Sequence, residues 1–183
     1  MPDRTAALML QQHPDVRFLP EMPVHADAVA DISEEAFGPG RFSRAAERVR
    51  EMAGHEPSLS FVAVLDGAIV GSVRQSRIRI GERPALMLGP LAVRPPVMGR
   101  GLGAALLDVA ARAGRDAGET VILLVGDPPY YQPHGYRVLP IGSVTMPGPA
   151  DPARILALPL VAGALDGLCG RVGSRTVWRQ VGL

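Results

Sequence analysis

The sequence contains no lysine, no asparagine and only one cysteine, Cys169, among its 183 residues. A solitary cysteine cannot form an internal disulfide framework, so a reducing cytoplasm is the expected location. We expect Cys169 to be a small buried residue and not a nucleophile. Because lysine is missing, every basic residue is arginine, which we interpret as a compositional bias of the coding sequence rather than a functional signal.

Strong net charge, long apolar runs and clustered histidines are also lacking. A formal net charge of +1 argues against a nucleic-acid partner, which usually needs a concentrated basic face. No segment has the length of a membrane span, and the apolar run at residues 6–10 is too short for a signal peptide. The four histidines are scattered without metal-ligand spacing, so we expect no metal site. Hydrophobic residues make up 47% of the chain, which is enough to build the core of one domain.

The pattern of apolar residues predicts a flexible leader, residues 1–15, followed by one mixed α and β domain, residues 16–183. A short strand is expected at residues 16–20, a helix at residues 25–37, and a second helix that follows Ser43 and runs through Met52. The later elements expected are strands at residues 120–125, 136–139, 154–160 and 176–181, a helix from Leu102 to near Gly118, and a short helix at residues 163–168.

The middle of the chain predicts an antiparallel meander of three strands, at residues 60–65, 68–80 and 85–93. Asp66-Gly67 joins the first two strands and is the strongest short signal for a hairpin. Gly89-Pro90 interrupts the third strand, and proline within a strand belongs at an edge or a bulge. Two interpretations stay open: a bulge that pushes this strand away from its neighbour, or an irregular strand end.

Three glycines, Gly99, Gly101 and Gly103, lie between the third strand of the meander and the helix that begins at Leu102. Glycine lets the backbone approach a ligand closely, and the free N–H groups and dipole of a helix N-terminus favour an anion. Such a loop can hold a phosphate or pyrophosphate without any charged side chain. The alternative is a glycine-rich turn that only lets the helix and the sheet pack closely.

Two known nucleotide-binding loops compete for this stretch. The phosphate loop of NTPases needs a lysine, which the chain lacks. A dinucleotide fingerprint matches at Gly99, Gly101 and Ala104, and Glu119 lies 20 residues beyond Gly99. In that fold the strand runs directly into the first glycine and the strands are joined by parallel crossovers. Here residues 94–98 intervene and the strands form hairpins, so the dinucleotide interpretation is disfavoured.

The run LGPLAVRPPVMGRGLGAALLDVAARAG, residues 88–114, resembles the GNAT superfamily of acetyl-CoA-dependent N-acetyltransferases. That family has a central strand, a proline-bearing loop and then Gln/Arg-x-x-Gly-x-Gly/Ala at the start of a helix; Gly101 and Gly103 match, whereas Met98 stands where Gln or Arg is usual. Residues 125–138 and 155–172 are also similar to segments of the family. The resemblance implies an α+β fold with a central, mostly antiparallel sheet of about six to seven strands, splayed at a β-bulge and flanked by helices.

The resemblance also implies where acetyl-CoA binds. In this family the pyrophosphate rests on backbone amides of the glycine loop, which corresponds here to Met98, Gly99, Arg100, Gly101, Leu102, Gly103 and Ala104. The pantetheine arm pairs like an extra strand with the bulged strand, which corresponds to Leu91, Ala92 and Val93. A bulge at Gly89-Pro90 would splay this strand from residues 120–125 and open the slot for the cosubstrate.

By the same resemblance, Tyr131, four residues before Gly135, is the general acid that protonates the leaving thiolate. The glutamate that many relatives carry on the central strand is missing, because residues 86–89 are apolar or small. The substitutes considered for the general base are Glu34, Glu35, His25 and His134, together with a water chain or an amine that arrives neutral.

The expected function is transfer of an acetyl group from acetyl-CoA to an amine of a small molecule or a protein, by direct attack in a ternary complex. The alternative is a catalytically silent module of the same fold that binds CoA for sensing. Neither the acceptor nor the oligomeric state follows from the sequence, and a homodimer is an assembly that is common in similar proteins.

Overall fold

A computed structural model describes residues 15–38 and 45–175. The described helices are α1 Ala26–Phe37, α2 Ala45–Ala53, α3 Leu102–Asp116 and α4 Pro128–Tyr131. The described strands are β1 Val16–Pro20, β2 Phe61–Leu65, β3 Ala68–Ile80, β4 Arg83–Val93, β5 Val121–Val125, β6 Arg137–Val138, β7 Val144–Thr145, β8 Ile155–Pro159 and β9 Gly170–Ser174.

The strands form one mixed sheet in the order β1-β2-β3-β4-β5-β8-β6. β9 pairs with the end of β3, and β7 pairs with β9. The pairs β4–β5 and β7–β9 are parallel, and the other described pairs are antiparallel. The predicted meander is therefore confirmed as β2-β3-β4, and the predicted mostly antiparallel sheet is confirmed with seven strands along its main path.

Two apolar clusters cover the two faces of the sheet. Alternation along the strands sends Leu86 and Ile122 to one face, where they pack with α3 through residues such as Leu106. Met87 and Leu123 point to the opposite face and join the cluster that contains Val49 of α2. The helices of the N-terminal half and α3 thus lie on opposite sides of β4 and β5.

The bulge at Gly89-Pro90 is confirmed by the register of β3 and β4. Val73 lies opposite Leu91 and Gln75 lies opposite Leu88, so Gly89 and Pro90 together face the single residue Arg74. A local break in the ladder bends the strand, and the candidate site lies beside this break.

Some sequence-based expectations were wrong. Residues 163–168 form a run of turns instead of a helix, and the strand expected at residues 136–139 is reduced to Arg137–Val138. Cys169, expected to be buried, is exposed and free. The leader, apart from Asp15, and the strand expected at residues 176–181 lie outside the described residues. Across the described ranges, no helix is both long and apolar enough to cross a membrane.

Candidate active site

β4 and β5 separate at the bulge. Over the described part of the chain they pair only at Leu86 with Ile122 and at Met87 with Leu123. Beyond that point β4 continues to Val93 along β3, whereas β5 turns away to pair with β8. The strands therefore diverge from Leu88 onward and leave the β5-facing edge of β4 without a strand partner.

A cavity of about 630 Å³ opens at this divergence. One wall is the bulged segment and the end of β5, which contribute Leu88, Gly89, Pro90, Leu91, Leu124, Val125, Gly126 and Asp127. The opposite wall comes from the N-terminal helices and β3, through Ala30, Ser33, Phe37, Glu47 and Arg74. The rest is formed by Tyr130 and Tyr131 of α4 and by Pro149, Ala150, Asp151 and Arg154 before β8.

The glycine loop leads into α3. Gly99 and Gly101 have φ angles of +77° and +80°, a left-handed conformation that strongly favours glycine. Gly101 is the N-cap, and no side chain caps the helix. No described residue accepts a hydrogen bond from the backbone amides of residues 99–104. The Met98 amide instead donates to the Pro95 carbonyl at 3.2 Å, and 65% of Met98 is exposed.

Tyr131 lies between two other aromatic rings, those of Tyr130 and Tyr136. Its ring centroid lies 4.9 Å from that of Tyr130 and 5.7 Å from that of Tyr136, both in edge-on contact. Burial, helped by the neighbouring Tyr130, raises the pKa of Tyr131 to about 12. The phenol therefore keeps its proton throughout the physiological range and can act as a hydrogen-bond or proton donor in the cavity.

The predicted site residues are brought together only in part around the cavity. Leu91 and Tyr131 line it, whereas the glycine loop lies beside it at the start of α3. Tyr130 connects the two, because a Cβ added to Gly103 would meet the Tyr130 Oη at 2.3 Å. Ala92 is buried and paired with Ser72 on β3.

None of the four candidate bases is among the described residues that line the cavity. The Nδ1 atom of His25 accepts a hydrogen bond from the Met22 amide at 3.1 Å, and Glu35 forms an ion pair with Arg94. Glu34 is exposed on α1, and burial lowers the pKa of His134. The carboxylates that do line the cavity are Glu47, Asp127 and Asp151.

The environment of Glu119 contradicts the dinucleotide interpretation, which needs a free acidic side chain at this position. Glu119 is 4% exposed and forms ion pairs with Arg77 and Arg175, so its carboxylate is fully engaged. It has no place in the cavity. In the described ranges no group of three or more His, Cys, Asp or Glu side chains is placed to hold a metal ion.

A family model described as the acetyltransferase (GNAT) family matches residues 26–136, more than half of the chain. The chain belongs to the GNAT family of acetyltransferases. This GNAT chain is also 30% identical over 119 residues to the uncharacterized N-acetyltransferase YjhQ of Escherichia coli strain K12. That alignment covers 61% of the chain and 64% of the relative, so the chain spans just under two thirds of this curated relative's length.

Solved structures confirm the GNAT fold. The structure of YhbS, a GNAT family N-acetyltransferase from Escherichia coli in complex with CoA, has a TM-score of 0.74 at 21% identity and covers 88% of this chain and 90% of its own. A GNAT family acetyltransferase from Brucella melitensis in complex with acetyl-CoA has a TM-score of 0.56 at 27% identity, covering 82% and 98%. The chain therefore has the fold of these GNAT structures.

One polar cluster in this GNAT domain was not predicted from the sequence. Arg74 lines the cavity, and its Nε atom lies 3.1 Å and 2.9 Å from the two carboxylate oxygens of Glu21. His55 Nε2 lies 3.5 Å from the same carboxylate. The three residues come from β3 and from two separate loops, and no motif spacing connects them.

Proposed function

We propose that this protein transfers the acetyl group of acetyl-CoA to an amine. The observation that carries the proposal is the divergence of β4 and β5 at the bulge, beside a helix N-terminus with unengaged amides. The family membership and the CoA and acetyl-CoA complexes of the two structural neighbours support the same reaction.

The residues present fit acetyl-CoA. The free edge of β4 around Leu91, Ala92 and Val93 offers backbone groups to the amide-bearing pantetheine arm, as an added strand would. The amides of residues 99–104 suit the pyrophosphate, and Arg100 is exposed at the rim of this loop. Loss of the usual Gln or Arg at Met98 removes a side-chain contact and leaves the later amides in place.

Tyr131 is the proposed general acid. The acetyl thioester supplies the acyl group; the amine nitrogen attacks its carbonyl carbon, the carbon–sulfur bond breaks, and the thiolate takes the phenolic proton of Tyr131. A pKa of about 12 keeps that proton in place until the thiolate develops. The amine nitrogen loses its own proton to water or to a cavity carboxylate, and the Tyr131 phenolate takes up a proton from water, so the acid is restored and the charges balance.

The test begins with calorimetric titration of the purified chain with acetyl-CoA and, separately, with NAD. Micromolar binding of acetyl-CoA without an NAD signal is the expected result, and Gly101→Glu should abolish it by placing a negative side chain at the helix N-terminus. An amine screen follows, in which Tyr131→Phe should lower kcat by about 10²-fold or more without changing acetyl-CoA affinity.

A silent CoA-binding module is the second candidate. The apolar cavity face of β4 and the exposed Met98 favour it, since neither supplies the polar group usual in the family. Tight acetyl-CoA binding without turnover of any amine would support this alternative. Absence of acetyl-CoA binding would contradict both.

A further inference from the structure

The side chain that the bulge exposes to the cavity is an arginine. Arg74 is the single β3 residue opposite Gly89 and Pro90, where the ladder is broken. Its neighbours Val73 and Gln75 point to the α3 face and are fully buried. Arg74 lies on the other face, which α1 and α2 cover, and forms part of the wall away from α3.

Glu21 holds one edge of the Arg74 guanidinium. The Nε and Nη2 atoms donate to the Glu21 carboxylate, and Glu21 itself is 5% exposed. Among residues 15–38 and 45–175 no acceptor is present for Nη1 of Arg74. A guanidinium has two edges suited to a carboxylate, so the Nη1–Nη2 edge remains for a ligand in the cavity.

Stability alone does not account for this arginine. A buried ion pair is a weak stabiliser, and well-packed apolar residues of similar volume often serve as well or better. The Nε2 atom of His55 also lies 3.5 Å from the Glu21 carboxylate, so Arg74 is not its only neighbour. The pair orients a guanidinium that would otherwise be free to rotate, which is an arrangement suited to recognition.

The cavity also carries charges of the opposite sign. Asp127 begins the segment that leads to Tyr131, and Glu47 and Asp151 line other parts of the wall. Asp127 favours an ammonium or amine, and Arg74 favours an anion. The other arginine of the wall, Arg154, donates its Nε to the Gly126 carbonyl at 3.2 Å. The two signs in one cavity match a ligand that carries both.

We propose that the acceptor is an amine that also bears a carboxylate, as an amino acid does, and that Arg74 binds this carboxylate and determines specificity. This inference rests on the proposed acetyl transfer and narrows its acceptor. Glu21 is a positioning residue that acts through Arg74.

The test compares each acceptor with its own amide. The twenty standard amino acids and 4-aminobutyrate are assayed against their primary amides with acetyl-CoA, and kcat/KM is measured for each pair. At least one acid should be preferred over its amide by about 10-fold to 100-fold, the usual effect of a charge-assisted bidentate contact.

The variants separate recognition from folding. Arg74→Gln combined with Glu21→Gln removes both charges together, so neither is left buried alone. In this double variant the acid-to-amide ratio should fall toward one, with acetyl-CoA binding retained as the check of the fold. Arg79→Met is the matched control, because Arg79 is on the same strand and outside the cavity wall, and it should leave the ratio unchanged.

The possible results distinguish failure of the carboxylate inference from failure of the proposed acetyl transfer. Amides used as well as or better than acids would overturn the carboxylate inference and leave acetyl transfer intact. A preference for acids that persists in the double variant would remove the role of Arg74. No turnover of any amine, despite acetyl-CoA binding, would remove the proposed function and this inference with it.

Discussion

The hydroxyl of Tyr130 leaves no room for a side chain at position 103, which explains the glycine there. Gly103 lies in the first turn of α3 with an ordinary helical backbone, so its conformation does not require glycine. A Cβ at this position would lie 2.3 Å from the Oη atom of Tyr130 and 3.6 Å from its Cζ atom. Gly103→Ala should therefore displace the Tyr130 side chain, which is half-exposed and able to move.

Two opposing effects determine how much Gly103→Ala changes the free energy of unfolding. Alanine in place of glycine in a helix stabilises by up to about 1 kcal/mol. Displacement of Tyr130 loses its edge contact with Tyr131, where the ring centroids are 4.9 Å apart, and such a contact contributes about 1 kcal/mol. Gly103→Ala alone should thus change the free energy of unfolding little.

Removal of the Tyr130 hydroxyl should reveal the stabilisation that alanine at position 103 contributes to the helix. In Tyr130→Phe the nearest ring carbon to the new methyl group stays at an ordinary contact distance, so Gly103→Ala should stabilise that background by about 1 kcal/mol. Urea denaturation of the four proteins measures the coupling between the two positions, expected at about 1 kcal/mol. Tyr131→Phe is the matched control, because no Tyr131 atom is near the Cβ position of Gly103.

Additivity within about 0.3 kcal/mol for Gly103 and Tyr130 would refute this reasoning. Coupling of equal size with Tyr131→Phe would also refute it, since the effect would then not depend on the Tyr130 hydroxyl. A stabilising Gly103→Ala in the native background would mean that the Tyr130 ring moves aside without loss.

Three further predictions concern the site and its support. Gly126→Ala should lower kcat about as much as Tyr131→Phe, because its Cβ would lie 2.2 Å from the Cε2 atom of Tyr131; an unchanged kcat would place Tyr131 outside the chemistry. Since a general acid is lost only as pH rises through its pKa, kcat should show no Tyr131-dependent decline below about pH 11, and a decline near pH 9 that disappears in Tyr131→Phe would contradict the buried environment. Glu119→Gln should lower the free energy of unfolding by about 3 kcal/mol, because Arg77 and Arg175 lose their buried partner, and acetyl-CoA affinity measured by calorimetry should not change.

The meander and its bulge could be predicted because their signals are local. Asp66 is the described non-glycine residue with a positive φ, at 50°, and it stands with Gly67 at the turn where the sequence indicated a hairpin. Gly89-Pro90 interrupts an otherwise apolar strand, and proline cannot continue a ladder. Each feature depends on residues that are adjacent in sequence, so it could be predicted without knowledge of tertiary contacts.

The C-terminal part was less predictable because its elements depend on distant partners. β9 is a glycine-bearing strand that pairs with the far end of β3, and β7 is a two-residue strand beside it. Gly163 and Gly167, with φ angles of +72° and +62°, break the apolar spacing that had indicated a helix at residues 163–168. Glycine in the left-handed conformation ends a helix, and this effect outweighs the periodicity of the side chains between them.

The two halves of the candidate site also differ in whether they depend on local sequence or on distant residues. The half assigned to acetyl-CoA is made of backbone: a strand edge without a partner and a helix N-terminus, both set by short glycine and proline signals in residues 88–104. The half proposed for the acceptor is made of side chains. Glu21 and Arg74, which are 53 residues apart in sequence, meet because β1 and β3 flank β2. A backbone site can be shared across a family whose side chains vary, whereas a guanidinium held by a buried carboxylate depends on particular residues. If Arg74 binds the acceptor as proposed, acceptor recognition should change with Arg74 and Glu21 while the half proposed for the cosubstrate stays the same. A motif made of glycine and proline then points to the cosubstrate and not to the acceptor.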